Sequence, residues 1–434
     1  MKQDRIVSDM ETKLKRIAKL SCENPKMKFN GLMPHFNKEN LISCFNELDR
    51  KKAVGVDGKT KDDYAKDLEE NIEKLVAKMK TMSYRPAPVR EVLIPKDNGK
   101  TRPLGISNIE DKIVQTMFSK ILESIYEPLF FESSYGFRKD RSCHDAIKSL
   151  TGRLHKAQTE VVIDVDLENY FGTIEHKKLV ALLELKIEDK RFIRYIVRML
   201  KSGVLAEGEL RMSDEGTPQG SICSPILSNI FAHYAIDQWF ESSVLPRIDK
   251  GAFMIRYCDD LVIGCSKRDA DRIVSALNGR MKRFSLVLNA EKTKVVDFNK
   301  HLSLTSKQGN FDFLGFSFYI GKSKNGFPTV KLKTSSKKFK SKLKNVKIWC
   351  KRNRHRGKLL AIWKIFVSKI RGHIRYYGVS HNSKYVQKFV FEAKMIFFKW
   401  INRRSQRKSL NWAEFDLFLK KHPLPKVKVF HPLF

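Results

Sequence analysis

From Phe313 to Phe391 the chain has not one aspartate or glutamate, against 21 lysines and arginines. That excludes the sign-alternating surface of an ordinary soluble domain over this stretch, and a polyanion is the partner such a field would hold. Residues 392–434 add ten basic and three acidic side chains, so the last 122 residues carry +28 of the formal +36, and residues 1–312 only +8. Charge this lopsided divides the chain into a nearly balanced body and a basic binding module.

Paired cysteines are missing as well. Cys22, Cys44, Cys143, Cys223, Cys258, Cys265 and Cys350 form no C-x-x-C and have no histidine at zinc-ligand spacing, which excludes a zinc site of the usual kind and leaves reduced thiols as the expectation. No apolar run approaches the ~18 residues of a membrane span, and Met1-Lys2-Gln3-Asp4-Arg5 puts charge where a signal peptide has its apolar core. A cytoplasmic protein with no membrane partner is expected. Gly55-Val56-Asp57-Gly58-Lys59-Thr60 ends like a phosphate-binding loop but lacks a glycine at Ala53 and a buried strand before it. The spacing predicts a turn into a helix instead.

What is present suffices for two or three domains: 42% of the residues are apolar and 11% aromatic. Short β-rich runs alternate with helical spacing, an α+β pattern. Val92–Pro95 and Arg102–Ile106 flank an Asn98-Gly99 turn as a β-hairpin carrying Lys96 and Arg102. Val161–Val165 reads as a buried strand ending in acids, with Asp164 and Asp166 on one face and Val165 and Leu167 on the other. Gly216-Thr217-Pro218-Gln219-Gly220 is a loop that opens a long apolar helix running through Phe231 and Ile236.

Two further apolar runs, Phe253–Ile255 and Leu261–Ile263, flank Asp259-Asp260 and predict a hairpin with paired acids at its turn. Such a pair is ordinarily just a solvated turn. Joined by Asp166, it becomes a set of three carboxylates that a hard divalent cation such as Mg²⁺ would neutralise. Past Gly321, two apolar seams (Leu359, Trp363, Phe366, Ile370, then Phe389, Ala393, Phe397, Trp400) with basic outer faces predict a compact all-α unit.

In this order, the Asp166 strand, the Pro218-Gln219-Gly220 loop and Tyr257-Cys258-Asp259-Asp260 resemble the motifs of reverse transcriptases, and within them the maturase-reverse transcriptases of group II introns. The resemblance runs from about Phe45 to Phe434 and includes Ile94-Pro95-Lys96, Arg102-Pro103-Leu104, Ser134-Tyr135-Gly136-Phe137-Arg138, Glu291-Lys292-Thr293-Lys294 and Phe313-Leu314-Gly315-Phe316. Arg371-Gly372-His373, Tyr376-Tyr377-Gly378 and Lys399-Trp400-Ile401 look like the intron-maturase thumb. The chain departs from the family at Cys258, where alanine is usual, at Gly172 for an aspartate and at Ser221 for a second glycine. No Cys/His-rich endonuclease segment follows the thumb, so second-strand DNA cleavage is not expected.

The resemblance implies a right-hand polymerase: an N-terminal extension over 1–60, fingers and palm with an antiparallel sheet over 61–320, and a basic helical thumb or maturase domain over 321–434. It implies two Mg²⁺ ions, with Mn²⁺ as a substitute, held by Asp166, Asp259 and Asp260, and Lys292 as proton donor to pyrophosphate. Lys96 and Arg102 would hold the dNTP, Gln219 and Gly220 would line the nascent pair, and Phe171 would exclude a 2′-hydroxyl. Arg138, Lys337, Lys338, Lys340, Lys344, Arg352, Arg354, Arg356, Arg371, Arg403 and Arg404 would face nucleic acid. The implied partners are an RNA template, typically group II intron RNA, with a DNA or RNA primer and dNTPs; no stable protein partner is expected. The implied activity is RNA-directed DNA synthesis with intron splicing assistance. The alternatives are a domesticated relative in DNA repair or phage defence, and a factor that mainly binds RNA.

Overall fold

In the computed structural model, which describes residues 2–95, 101–156, 159–206, 209–217, 220–300, 309–404 and 410–433, the N-terminal part is helical. Helices α1 (Lys2–Glu23), α2 (Lys38–Glu47), α3 (Lys61–Ala65) and α4 (Leu68–Lys80) precede the first strands. Asn37 caps α2, and a Thr60–Asp63 capping box opens α3 directly after the Gly58 turn. The turn-and-helix reading of Gly55–Thr60 is therefore what the backbone does.

Strands β1 (Val89–Pro95) and β2 (Thr101–Ile106) pair antiparallel, with Ile94 opposite Arg102. The chain continues through α5 (Ile109–Tyr126), α6 (Cys143–Lys156), β3 (Val161–Val165), α7 (His176–Glu184), α8 (Lys190–Leu200), β4 (Val204–Ala206) and β5 (Glu209–Arg211). β4 joins β1 in parallel, giving a sheet of order β2-β1-β4-β5. Then come α9 (Ser224–Ala232), β6 (Phe253–Tyr257), β7 (Asp260–Cys265), α10 (Lys267–Arg283) and β8 (Lys294–Asp297).

The second sheet, β6-β7-β3-β8, is antiparallel throughout and carries the acids. Alternation along β3 divides its side chains between two cores. Val161, Ile163 and Val165 join one with Ile113, Phe118 and Leu122 of α5, whereas Val162 joins the other with Phe253, Ile255, Val262 and Phe311. Burying each such side chain stabilises the fold by about 1.5–3 kcal/mol. A sheet sandwiched in this way is a stiff base for groups at its strand ends.

A third sheet, ordered β11-β10-β9, is built from β9 (Asn310–Phe313), β10 (Phe316–Lys322) and β11 (Pro328–Thr334). Leu314 and Gly315 join β9 to β10 with φ of +49° and +83°, the paired left-handed residues of a tight hairpin turn. Helices α11 (Ser336–Asn353), α12 (Leu359–Tyr377), α13 (Ser383–Ile401) and α14 (Trp412–Lys421) complete the chain around Trp363, Phe366 and Phe397, whose rings lie 4.5–5.3 Å apart.

The expectation that residues from Gly321 onward are all helical is corrected by this hairpin. Val330, Leu332 and Thr334 are buried while Lys331 and Lys333 between them are half-buried, a period of two that the lysines conceal in the sequence. The described chain is thus of mixed α/β class. No helix among the described residues is long and apolar enough to cross a membrane.

Candidate active site

Only Cys258 and Asp259 separate β6 from β7, with Tyr257 and Asp260 paired across the turn. Cys258 takes φ +59°, a left-handed backbone that costs a residue with a Cβ about 1–2 kcal/mol. The turn is held from outside. Residues 133–136 run beside β6: the Arg256 N–H donates to the Ser133 carbonyl (2.8 Å), and the Tyr135 N–H donates to the Arg256 carbonyl (2.9 Å). Gly136 then comes so close that a Cβ there would overlap the sulfur and backbone nitrogen of Cys258.

Beneath the turn, Arg256 is wholly buried and fully bonded. It donates to both Asp237 oxygens (2.7 and 2.6 Å), Asn229 Oδ1 (3.2 Å), Ser134 Oγ (2.7 Å) and the Cys258 carbonyl (2.9 Å). Asn229 of α9 in turn donates to the Gly136 carbonyl (2.6 Å). Asp237 sits in a π-helical stretch, His233–Asp237, that continues α9, a distortion often found at functional sites. Sequence reasoning missed this network. An arginine inside an apolar hairpin was the available signal, but its acidic partner lies 19 residues earlier on another element.

Asp166 follows β3 on the Asp164 side, while Val165 and Leu167 turn into the core. The 289–293 turn is pinned to it: Asn289 N–H donates to the Asp166 carbonyl (2.8 Å), and Asp166 N–H donates to Thr293 Oγ1 (3.4 Å). Lys292 Nζ then reaches Asp166 Oδ2 at 2.9 Å. Asp260 is raised to about 6, by desolvation first and then by the charges of Asp259 and Asp166, with Lys338 and Lys292 opposing. Its surface is open to water, so the desolvation comes from the walls of the cleft it lines.

Asp259 is also raised, chiefly by desolvation, and the charge of Arg102 pulls it down. Asp164 rises to about 7 through desolvation and then Asp260, Asp312 and Asp166; no role was assigned to it from sequence. Five carboxylates, those of Asp164, Asp166, Asp259, Asp260 and Asp312, therefore share one field. Among the described residues no three acidic, imidazole or thiol side chains stand as a ready metal cage, and Asp166 is turned onto Lys292. Hard oxygen donors that repel one another are nevertheless the set a divalent cation suits.

Of the other residues singled out, Lys96 and Gln219 lie outside the described residues. Arg102 is exposed on β2 and acts on Asp259 through its charge. Phe171 is buried in a 3-10 turn, its ring edge-on to Phe137 at 6.2 Å, and its carbonyl accepts from the Thr217 N–H (2.8 Å). Gly220 has φ +108°, and a Cβ there would strike the Gly105 carbonyl and Leu104 of β2, so the protein itself requires this glycine. At Gly172 a Cβ would strike the side chain of Asn169, itself left-handed at φ +43°. A side chain at position 172 would therefore have to displace that of Asn169.

Arg138 is a correction. Expected to face nucleic acid, it is buried: Nε and Nη2 engage Glu127 (2.8 and 2.7 Å), and Nη1 donates to the Phe131 and Ser134 carbonyls. It anchors the 133–136 segment that braces the β6–β7 turn. Arg354, at the end of α11, lies over the Trp400 ring of α13 at 5.2 Å, and Arg404 donates to the Gly357 carbonyl (2.6 Å), so these two tie helix ends together, whereas the exposed Arg403 lies over Trp400 of its own helix at 5.3 Å. Lys337, Lys338, Lys340, Lys344, Arg352, Arg356 and Arg371 are exposed.

A cavity of about 710 Å³ joins the acids to the basic module, lined by Asp260, Lys338, Lys342, Lys369, His373 and Tyr376 among others. Tyr376 Oη donates to the Leu314 carbonyl (2.9 Å), fixing α12 to the β9–β10 turn. His373 stacks flat on Phe389 at 3.4 Å, and burial lowers it to about 3, so its imidazole is neutral.

Residues 94–318 match the family described as reverse transcriptase (RNA-dependent DNA polymerase). The group II intron-encoded protein LtrA of Lactococcus lactis subsp. cremoris is 37% identical over 222 residues, 51% of this chain and 37% of LtrA. A 91 kDa protein in the cob intron of Schizosaccharomyces pombe is 38% identical over 209 residues, 48% of this chain and 25% of its own length. Protein YkfC of Escherichia coli is 30% identical over 356 residues, 74% of this chain and 90% of that protein. The chain thus spans well under half of LtrA and of the fission-yeast protein, and nearly all of YkfC. It belongs to the reverse transcriptase (RNA-dependent DNA polymerase) family.

Proposed function

We propose that this chain is an RNA-directed DNA polymerase of the group II intron type, joining dNTPs to a primer 3′-hydroxyl on an RNA template. The observation that carries the reading is the common field of Asp166, Asp259 and Asp260 on a rigid sheet, opening to a cavity walled by lysines. The β6–β7 sheet would serve as palm, the β1–β2 hairpin as fingers and α11–α13 as thumb. Asp166, Asp259 and Asp260 would hold Mg²⁺, or Mn²⁺ in its place. When bound, two such ions supply charge neutralisation for the attacking and departing oxygens.

The chain's own residues do the rest of the work. Arg102 offers a fork of N–H donors to the triphosphate, and Phe171 backs the sugar, leaving no room for a 2′-hydroxyl. Lys292 donates a proton to the departing pyrophosphate. The cavity beside Asp260 seats the primer end, with Lys338, Lys342 and Lys369 against its phosphates.

Intron maturation is the second activity, supported by the +28 of residues 313–434 and by relatives named as intron-encoded. Counterion release by such a module makes RNA binding steeply salt-dependent. Primer extension on RNA and DNA templates, by wild type and Asp259→Ala, tests the polymerase, beside splicing of any flanking intron. Undiminished Mg²⁺-dependent extension by Asp259→Ala would refute the metal assignment.

A further inference from the structure

The ammonium of Lys292 lies on Asp166, 2.9 Å from Oδ2, within the field of acids raised by their neighbours. The contact follows from the backbone. Asn289 and Thr293 bond the Asp166 main chain on both sides, Leu288 bridges Leu167, and the Glu168 N–H donates to the Val287 carbonyl. The turn carrying Lys292 and the strand end carrying Asp166 are therefore one rigid unit. The lysine side chain is itself 64% exposed and Asp166 35%, so the ion pair can open without moving that unit.

We propose that Lys292 is a built-in counter-ion for the metal site, neutralising Asp166 until a divalent cation displaces it. The inference rests on the reading of Asp166 as a metal ligand. Displacement frees the ammonium only when Asp166 has accepted a cation, and a freed Lys292 can then swing to the polyphosphate, which carries the opposite charge. One side chain thus links occupation of the metal site to assembly of the phosphate site. A lysine that served the phosphates alone, standing away from Asp166, would weaken metal binding far less.

Mn²⁺ binding to the full chain, followed by the paramagnetic resonance signal of free Mn²⁺ at low salt and without nucleotide, tests this in wild type, Lys292→Met, Lys292→Arg and Asp166→Asn. The expected result is a roughly two- to fivefold tighter first Mn²⁺ in Lys292→Met, the range of a part-exposed ion pair. Lys292→Arg should return affinity toward wild type, and 1 M salt should erase the difference. Equal or weaker binding by Lys292→Met overturns the inference while leaving the metal site standing. Equal Mn²⁺ uptake by wild type and Asp166→Asn overturns the metal site itself.

Discussion

Arg256 touches neither metal nor substrate in the proposed chemistry, yet it sits under the turn that presents Asp259. Replacing it by methionine leaves Asp237 buried and uncompensated, and the expected loss is about 3–5 kcal/mol in urea denaturation. The double variant Arg256→Met/Asp237→Leu should recover most of that stability but not primer extension, because the Cys258 carbonyl and Ser134 hydroxyl still lose their donor. Gly136→Ala is the sharper probe. Its added methyl meets the Cys258 turn, so single-turnover extension should fall at least tenfold while RNA binding is retained. Phe171→Ala should raise ribonucleotide incorporation, measured as the ratio of NTP to dNTP efficiency. Cys258 now has a physical setting, a left-handed position pressed against a glycine, though nothing in the structure explains why cysteine stands there rather than alanine.

At the scale of elements, helix α11 presents Lys337, Lys340 and Lys344 to solvent with no acid near in sequence. Reversing all three to glutamate should weaken RNA binding and flatten its salt dependence by ~0.7 to 0.9 log units for each phosphate no longer neutralised. A slope unchanged from wild type would remove this face from the interface. Arg354 and Arg404 should behave differently, since they hold helix ends together. Arg354→Ala is expected to lower thermal stability more than it alters the salt slope. The β10–β11 hairpin makes the same point for strands: a lysine count describes a field, and only the alternation of Val330 and Leu332 with Lys331 and Lys333 shows which side of the sheet it occupies.

For the whole molecule, the acids of the site act against folding at neutral pH. Asp164 at about 7 and Asp260 at about 6 lie above the usual 3.8 of an unfolded aspartate. Between those values the folded state therefore binds more protons than the unfolded one. The cost of ionising them, desolvation first and then repulsion by neighbouring acids, is absent below about pH 4 and fully present above pH 7, so these groups lower stability as pH rises through that window. A divalent cation should offset the cost where the acids are ionised. Mg²⁺ is expected to raise the melting temperature more at pH 8 than at pH 5, read by thermal unfolding. The acid limb of the extension rate should also move to lower pH as Mg²⁺ is increased; a limb fixed in position would count against these acids as ligands.

Sequence alone determined the acid-bearing strand end, the hairpin with its paired aspartates and the basic C-terminal module, because each depends on local periodicity or on charge along the chain. The family followed from the order of those motifs. Tertiary structure decided what they touch. It buried Arg138 against Glu127, set the Asn169 side chain against Gly172, and brought Asp237 under Arg256 and Lys292 onto Asp166. Apart from Asn169 and Gly172, which share one 3-10 turn, none of these pairs shares a secondary-structure element, and side-chain pairing across elements depends on packing that no periodicity along the chain encodes.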